Sequence, residues 1–242
     1  MAIINQTKPI GTKVAFGLME MALPWVLLGH AETRVPSGFA GLMLAAVPIV
    51  GTVVSWLLGD RHALSRVRLL GLAVGVLGVA ALVGLDWAGG TIDPLSVVEL
   101  LVVAVCYTVA PAMAVRKLAH VPSMGVVSLS LAVVALLYLP VTVFSVHTGL
   151  PSPNVVASVL VLALVCTALA FVLFFDLIAE AGPVRATVIT FVNPAVAVAL
   201  GIVVLSEPLT VGTLVGFPLV LLGSYWATRG PASTEPVEAA PA

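Results

Sequence analysis

The chain has 242 residues, of which 61% are hydrophobic and 9% are charged, with a formal net charge of -1. A soluble domain carries about a quarter of its residues as charged side chains, so a mean hydropathy of +1.21 excludes water as the main solvent. The balanced charge excludes a nucleic-acid surface, which needs clustered Lys and Arg. Cys106 and Cys166 lie in apolar stretches without CxxC or metal-ligand spacing. We therefore expect no disulfide, metal site or cofactor.

Eight apolar stretches follow one another along the chain. A helix needs about 20 mostly apolar residues to cross the hydrocarbon, within a range of about 17 to 25. Gly, Pro and polar residues separate the stretches that meet this length. We predict an all-α integral membrane protein with about eight transmembrane helices, at 14–30, 37–58, 67–85, 95–115, 123–146, 154–178, 184–205 and 210–228. The connector SEPLT at 206–210 is so short that the last two helices are expected to form a tight hairpin.

The positive charges alternate between the two ends of these helices. Nine of the ten Lys and Arg fall in the N-terminal segment, in every second connector or after the last helix, whereas Arg34 falls in the other group. Because Lys and Arg in short loops stay on the cytoplasmic side, we expect a multi-pass protein of the cell membrane with both termini cytoplasmic. The N-terminal segment covers 1–13. The C-terminal tail at 229–242 lacks aromatic residues, and we expect it to be disordered. A signal peptide at 8–31 is the alternative for the first helix, but Glu20 interrupts its apolar run.

Two parts of the chain repeat each other weakly. Aligning Pro48 with Pro194 brings HALS at 62–65 over EPLT at 207–210 with a one-residue insertion, and the glycines of the following helices then align. The first of these connectors is predicted to be cytoplasmic and the second external, so the two copies have opposite topology. This is the pattern of inverted repeats, which in transporters surround a substrate site.

The segments MALPWVLLGHAETRVPSGFAGLMLAAVPIV at 21–50 and IAEAGPVRATVITFVNPAVAVALGIVVLSEPLTVGTLVGFPLVLLGS at 178–224 resemble the drug/metabolite transporter superfamily, EamA-like branch. The resemblance covers nearly the whole chain. Members typically have ten helices in two inverted five-helix repeats. The resemblance thus implies an incomplete first repeat at 14–93, with three helices and without the family's first two, and a complete second repeat at 94–228. The chain departs from the family pattern at His62, where the family usually has Glu.

A small set of polar side chains inside the predicted helices forms the candidate substrate site. An ionisable group at the centre of a membrane helix costs about 2.5 to 3.5 kcal/mol on insertion scales. Glu20 is therefore the leading candidate for a cavity-facing, protonatable group; the alternative is an interfacial carboxylate that reaches toward Lys13. Asn193 precedes Pro194, which frees a helical carbonyl. In the resembled family the cavity lies between helices that correspond to the first, second, fourth, sixth and seventh here, and these carry the predicted substrate-binding residues Glu20, Trp25, Tyr107, Thr167, Thr190 and Asn193.

The third and eighth predicted helices differ from the others because they are rich in small residues. They contain GLAVG at 71–75 and GTLVG at 212–216, and glycines four apart let two helices approach closely. We expect these helices to form a scaffold. Glu207 in the last connector is expected to cap the start of the eighth helix, as acids do near helix N-termini.

Two functions are open at this stage. The first is a secondary transporter or exporter of a small solute, such as a metabolite, amino acid or drug, that rocks one repeat against the other across the lipid bilayer. The second is a truncated, non-transporting homologue that acts as an assembly partner or is inactive; pairing with a second copy as a homodimer would complete a shortened bundle. No nucleophile and base pair, paired acids or metal ligands recur at one depth of the sequence, so we do not expect an enzyme.

Overall fold

The structure is a computed structural model that describes residues 10–57, 66–88, 93–118, 121–145, 151–181 and 189–228. Within these ranges the regular elements are all helical. They are α1 Ile10–Gly17, α2 Leu23–Glu32, α3 Ser37–Leu44, α4 Val47–Leu57, α5 Arg66–Ala88, α6 Pro94–Lys117, α7 Ser123–Ser145, α8 Pro153–Ala163, α9 Ala170–Ala181, α10 Ile189–Leu205 and α11 Val211–Thr228. A π-helical turn at Leu18–Ala22 joins α1 to α2, and another at Leu164–Leu169 joins α8 to α9.

Seven helical segments in the described ranges are long and apolar enough to cross a membrane. They coincide with seven of the eight predicted spans, with ends that differ by a few residues. The remaining predicted span contains α10, an apolar helix of 17 residues at the edge of a described range. The prediction of an all-α integral membrane bundle is thus confirmed. The HALS turn at 62–65 and the tail at 229–242 lie outside the described residues, and the division into repeats stays a prediction.

Side-chain caps explain where three of the helices begin. The Asp93 carboxylate accepts a hydrogen bond from the Ser96 N–H (3.1 Å) at the start of α6, and Ser152 caps α8 in a similar way. Such caps satisfy N–H groups that have no partner within the helix. At the start of α11 the capping oxygen belongs to Thr210, which accepts from the Thr213 N–H at 3.0 Å. The prediction that Glu207 caps this helix is therefore wrong; its carboxylate reaches α3 instead.

The second span is a broken helix. α3 ends at Leu44 and α4 begins at Val47, and Pro48 has no N–H to bond the Leu44 carbonyl four residues earlier. The Ala45 carbonyl within the break accepts a hydrogen bond from the Ser224 hydroxyl of α11, at 2.6 Å. Irregular backbone at membrane depth is tolerated where it is buried in protein or lines a cavity. The break is therefore held by contact with a neighbouring helix.

The glycines of α5 and α11 bring these two helices into very close contact with each other, a pairing that the sequence prediction of a small-residue scaffold did not specify. A Cβ atom on Gly78 would lie 2.6 Å from the backbone nitrogen of Val220, and one on Gly216 would lie 2.8 Å from the Cβ of Leu82. These distances are shorter than real Cβ atoms adopt, so the contact requires glycine. The same contact includes Gly71, Gly75 and Gly223.

The last two helices do not form the tightly packed hairpin that their short connector predicts. α10 packs mainly against α3, and α11 packs mainly against α5. Ser206 at the start of the connector takes a φ of 57°, which turns the chain sharply between them. The helices diverge because each has a closer partner elsewhere: glycine contacts draw α11 onto α5, and Gly41 of α3 leaves room for the Ala197 side chain of α10.

The glycine contact leads to a stability prediction. Replacing Gly78 with Ala forces α5 and α11 apart, and we expect a loss of about 1 to 3 kcal/mol, the usual cost of overpacking. Gly84 lies on the same helix with no atom within 4 Å of an added Cβ, so Gly84→Ala is the matched control. Thermal unfolding in detergent micelles should show a lower Tm for Gly78→Ala and an equal or higher Tm for Gly84→Ala. Equal losses in both variants would contradict this account of the contact.

Candidate functional site

A cavity of about 280 Å³ lies where four of the predicted spans meet. Glu20 in the π-helical turn, Tyr107 in α6 and Asn193 in α10 contribute its polar side chains. The break between α3 and α4 and Pro194, a proline inside α10, form other parts of its wall. Three of the six predicted site residues thus share one cavity, although they are far apart in the sequence.

The three polar residues of the cavity lie at a common depth. Each of the three residues lies 14 positions along the chain from a charged residue at one end of the bundle. At about 1.5 Å per residue, 14 positions correspond to about 20 Å of helix. The pairs are Glu20 with Arg34, Tyr107 with Asp93, and Asn193 with Glu207. Because the hydrocarbon core is about 30 Å thick, we expect residues about 20 Å of helix from the charged end to lie within it.

Glu20 combines burial with an unused hydrogen-bonding capacity. Its Oε2 atom is buried and has no hydrogen-bond partner in the described part of the chain. The ion pairs found among the described residues do not join Glu20 to Lys13, so the interfacial alternative gains no support. Glu20 also lies in a π-helical turn, a local distortion that is frequent at functional sites. A buried carboxylate oxygen without a partner is costly, and this cost favours a ligand-binding role.

Two aromatic side chains lie beside Glu20. Tyr107 is close enough to interact with the Glu20 carboxylate and lies within hydrogen-bonding range of Trp25. Trp25 belongs to α2, and its side chain is 39% exposed. Trp25 is not part of the cavity wall. It lies beside Tyr107, which is part of the wall.

Of the remaining predicted residues, Thr167 is not part of the described cavity wall. Thr167 lies in the π-helical turn of the sixth span, where its hydroxyl donates to the Leu162 carbonyl at 2.9 Å. The membrane-spanning part of that span has no buried residue. The side chain of Thr190 lies outside the described part of the structure, although α10 includes its backbone. A role for either threonine in solute binding stays a prediction.

Charged residues join the spans at the end of the bundle where Arg34, Asp93 and Glu207 lie. The Glu207 carboxylate accepts hydrogen bonds from the Ser37 N–H (2.7 Å), the Ser37 hydroxyl (2.7 Å) and the Gly38 N–H (3.1 Å). It therefore caps α3, from a position 170 residues later in the chain. Arg34 forms an ion pair with Asp93 at 3.3 Å. We call these contacts, together with the pair described next, the polar latch.

The third part of the polar latch was not identified from the sequence. His30 Nδ1 lies 2.6 Å from Glu99 Oε1, and Glu99 is buried, with its second oxygen unpartnered among the described residues. The rule that selected Glu20 would have selected Glu99 as well, because it lies inside a predicted membrane span. Its partner is on a helix 69 residues earlier, and nothing local in the sequence indicates that contact.

The hydrogen bonds of Glu207 predict a pH dependence of stability. Burial alone would raise the pKa of the Glu207 carboxyl, but the hydrogen bonds from Ser37 and Gly38 outweigh it and hold the pKa below its ordinary value. Because the folded state lowers this pKa, the stabilisation is present above the ordinary Glu pKa of about 4.3 and is lost as the pH falls through the folded value. The Glu207→Gln variant should therefore have a lower Tm than the parent protein at pH 7. Its Tm should also decrease less steeply than that of the parent between about pH 5 and pH 3.

Glu180→Gln makes the same chemical change at an exposed position of α9 and serves as the control. It should retain both the Tm at pH 7 and the acid-dependent fall of the parent protein. A Glu207→Gln variant with an unchanged Tm profile would show that these hydrogen bonds do not stabilise the fold.

Comparisons with known proteins agree with the helical membrane bundle. The sequence model of the EamA-like transporter family matches residues 95–229. An Escherichia coli K12 protein, named an uncharacterized inner membrane transporter, YedA, is 28% identical over 229 residues, covering 90% of this chain and 73% of that protein. An uncharacterized transporter of Archaeoglobus fulgidus is 25% identical over 216 residues, covering 89% of this chain and 76% of its own length.

A solved structure extends the comparison to the fold. A protein crystal structure superposes with a TM-score of 0.58 at 23% sequence identity, covering 91% of this chain and 76% of that one. The family match includes more than half of the 242 residues. The chain therefore belongs to the EamA-like transporter family, and the protein is a multi-pass membrane transporter.

Proposed function

We propose that this protein is a secondary transporter that carries a small metabolite, amino acid or drug-like solute across the cell membrane through the cavity at Glu20, Tyr107 and Asn193. The observation that carries the proposal is the convergence of these side chains, from three separate spans, on one cavity of about 280 Å³. Pockets for small ligands are mostly apolar with a few convergent polar groups. This cavity has that composition, with three polar side chains among apolar residues of the membrane-spanning helices.

The polar latch supports an alternating-access mechanism. Two of its contacts, Ser37 with Glu207 and His30 with Glu99, join the predicted first repeat to the predicted second repeat. Secondary transporters move one repeat or bundle against the other around a fixed central site. In this proposal the latch closes one end of the bundle while the cavity communicates with the other end, and opening that end requires the latch contacts to separate.

The positions of the charges also support an orientation. The latch joins the connectors that carry Arg34, Asp93 and Glu207, which are the connectors predicted to be external. The opposite set of connectors carries nearly all of the Lys and Arg, and such loops remain cytoplasmic. In the proposed orientation the latched end faces outward, and both termini are cytoplasmic.

A transport assay tests the cavity directly. Proteoliposomes are loaded with a filtered cytosolic extract, and mass spectrometry follows which small molecules leave faster than from protein-free liposomes. We expect at least one solute to do so. For that solute, Glu20→Gln and Asn193→Ala should slow release about tenfold or more, since loss of one hydrogen bond to a charged or polar ligand has about this effect. Glu180→Gln, on the exposed face of α9, should release it at the parent rate.

Two results would reject the proposed function. One is that no component of the extract leaves faster than from protein-free liposomes, although the protein is folded and inserted. The other is that Glu20→Gln and Asn193→Ala transport at the parent rate, which would place the pathway elsewhere.

Labelling of single cysteines tests the proposed orientation. With Cys106 and Cys166 replaced by Ala, a cysteine at Ser206 should react in intact cells with a thiol reagent that does not cross the membrane. A cysteine at Ser65 should react only after the membrane is permeabilised, because its connector carries several arginines. Labelling of both positions from the same side would contradict the orientation and the opposite topology of the two repeats.

A further inference from the structure

The charges of the cavity wall restrict the chemistry of its ligand. Among the described residues that form the wall, Glu20 is the one carboxylate, and none is Lys, Arg or His. An anionic solute would find no cationic side chain to pair with in the described wall, and burial of an unpaired charge is strongly unfavourable. A cationic solute would instead provide the partner that the buried Oε2 atom of Glu20 lacks in the described part of the chain.

The backbone of the cavity adds further acceptors. Pro48 leaves the Leu44 carbonyl without its helical donor, and Pro194 does the same for the carbonyl four residues before it. Asn193 contributes an amide oxygen at the second of these places. Unwound backbone of this kind coordinates cations in transporters. The wall thus combines the donors and acceptors of Asn193 and Tyr107 with a carbonyl acceptor at Leu44, and these acceptors can bind the N–H groups of a ligand.

Helix dipoles do not reverse this preference. α3 ends and α4 begins at the cavity, so a partial negative charge and a partial positive charge of about half a unit each lie close together. These two contributions oppose each other and largely cancel. When a cation pairs with it, the ionised Glu20 carboxylate is therefore the one full charge that the described wall supplies.

The aromatic residues favour the same class of ligand. Tyr107 forms part of the wall and interacts with Glu20, and Trp25 lies beside Tyr107. A cation over an aromatic face within about 6 Å is attracted by the ring. The rest of the wall, at Gly41, Leu44 and Ala45, is apolar and suits a hydrocarbon body.

We infer that the cavity binds a small organic cation, a protonated amine attached to an apolar group, with Glu20 as its counter-charge. This inference rests on the proposed function and specifies its substrate class. The volume of about 280 Å³ lies near the lower end of the range of about 300 to 1,000 Å³ for ligand pockets. The ligand is therefore small.

Three probes with the same apolar body and different charges test the inference. Phenethylamine is cationic at pH 7, phenethyl alcohol is neutral and 3-phenylpropionate is anionic. Binding to the purified full-length protein is measured by isothermal titration calorimetry in detergent. We expect the amine to bind about tenfold or more tightly than the alcohol, and the carboxylate to bind least tightly, because an ionic hydrogen bond in a partly buried site has about this effect.

Variants identify the residue responsible for this selectivity. In Glu20→Gln the preference for the amine over the alcohol should fall to about twofold or less, while Glu180→Gln should keep the preference of the parent protein. Thermal unfolding shows whether the Glu20→Gln variant remains folded. We expect this variant to lose the preference for the amine while its Tm stays unchanged. Equal affinities for the three probes, tighter binding of the carboxylate, absence of binding by the amine, or an amine preference that persists in Glu20→Gln would each overturn the inference.

The failure of this inference is distinguishable from failure of the proposed function. If proteoliposomes release a neutral or anionic solute in a manner that depends on Asn193, the transport proposal stands and the cationic substrate class is wrong. If no solute is released in that assay, the transport proposal is wrong whichever probe binds.

Discussion

The close contact between α5 and α11 is the constraint on which the cavity depends. Glycines allow the backbones of these helices to touch, and this fixes the position of α11. From that position Ser224 donates to the Ala45 carbonyl, and Val220 packs on Ala45, Ala46 and Ile49. The break in the second span is therefore supported by α11, and the same break forms one wall of the cavity. The glycine-rich helices α5 and α11, which the sequence predicts to be a scaffold, thus also determine the structure of one wall of the cavity.

The ionisable groups of the spans divide into two kinds according to their partners. At the latched end the carboxylates of Asp93, Glu99 and Glu207 each have a partner. About 20 Å further along the helices, the Glu20 carboxylate has a buried oxygen without a partner in the described part of the chain. A paired carboxylate stabilises the fold, whereas an unpaired one in hydrocarbon costs about 2.5 to 3.5 kcal/mol. Glu99 also has one buried oxygen without a partner among the described residues, but its other oxygen contacts His30, and no such contact is found for Glu20 in the described part of the chain.

The sequence predicts the features of this protein that depend on local composition. Span positions follow from hydropathy, the close packing of α5 and α11, though not their pairing with each other, follows from glycine spacing, and the grouping of Glu20, Tyr107 and Asn193 follows from the family resemblance. The partners of Glu207 and Glu99 could not be predicted, because they lie 170 and 69 residues away. Hydropathy also does not distinguish a span that is partly buried in the bundle from a span that has no buried residue. The position of Thr167 outside the described cavity wall could therefore not be predicted.

The strength of the polar latch fits a bundle that changes conformation. Hydrogen bonds to charged groups contribute about 1.5 to 3 kcal/mol when buried and less where solvent reaches them, as at Arg34 and Asp93. Conformational equilibria that ligands shift differ by a few kcal/mol. Two or three contacts of this strength favour the latched state without making the alternative inaccessible. In the proposed mechanism, a solute that pairs with Glu20 more closely after the latch separates would supply free energy of the same size, and this balance would allow one binding event to shift the bundle between its two states.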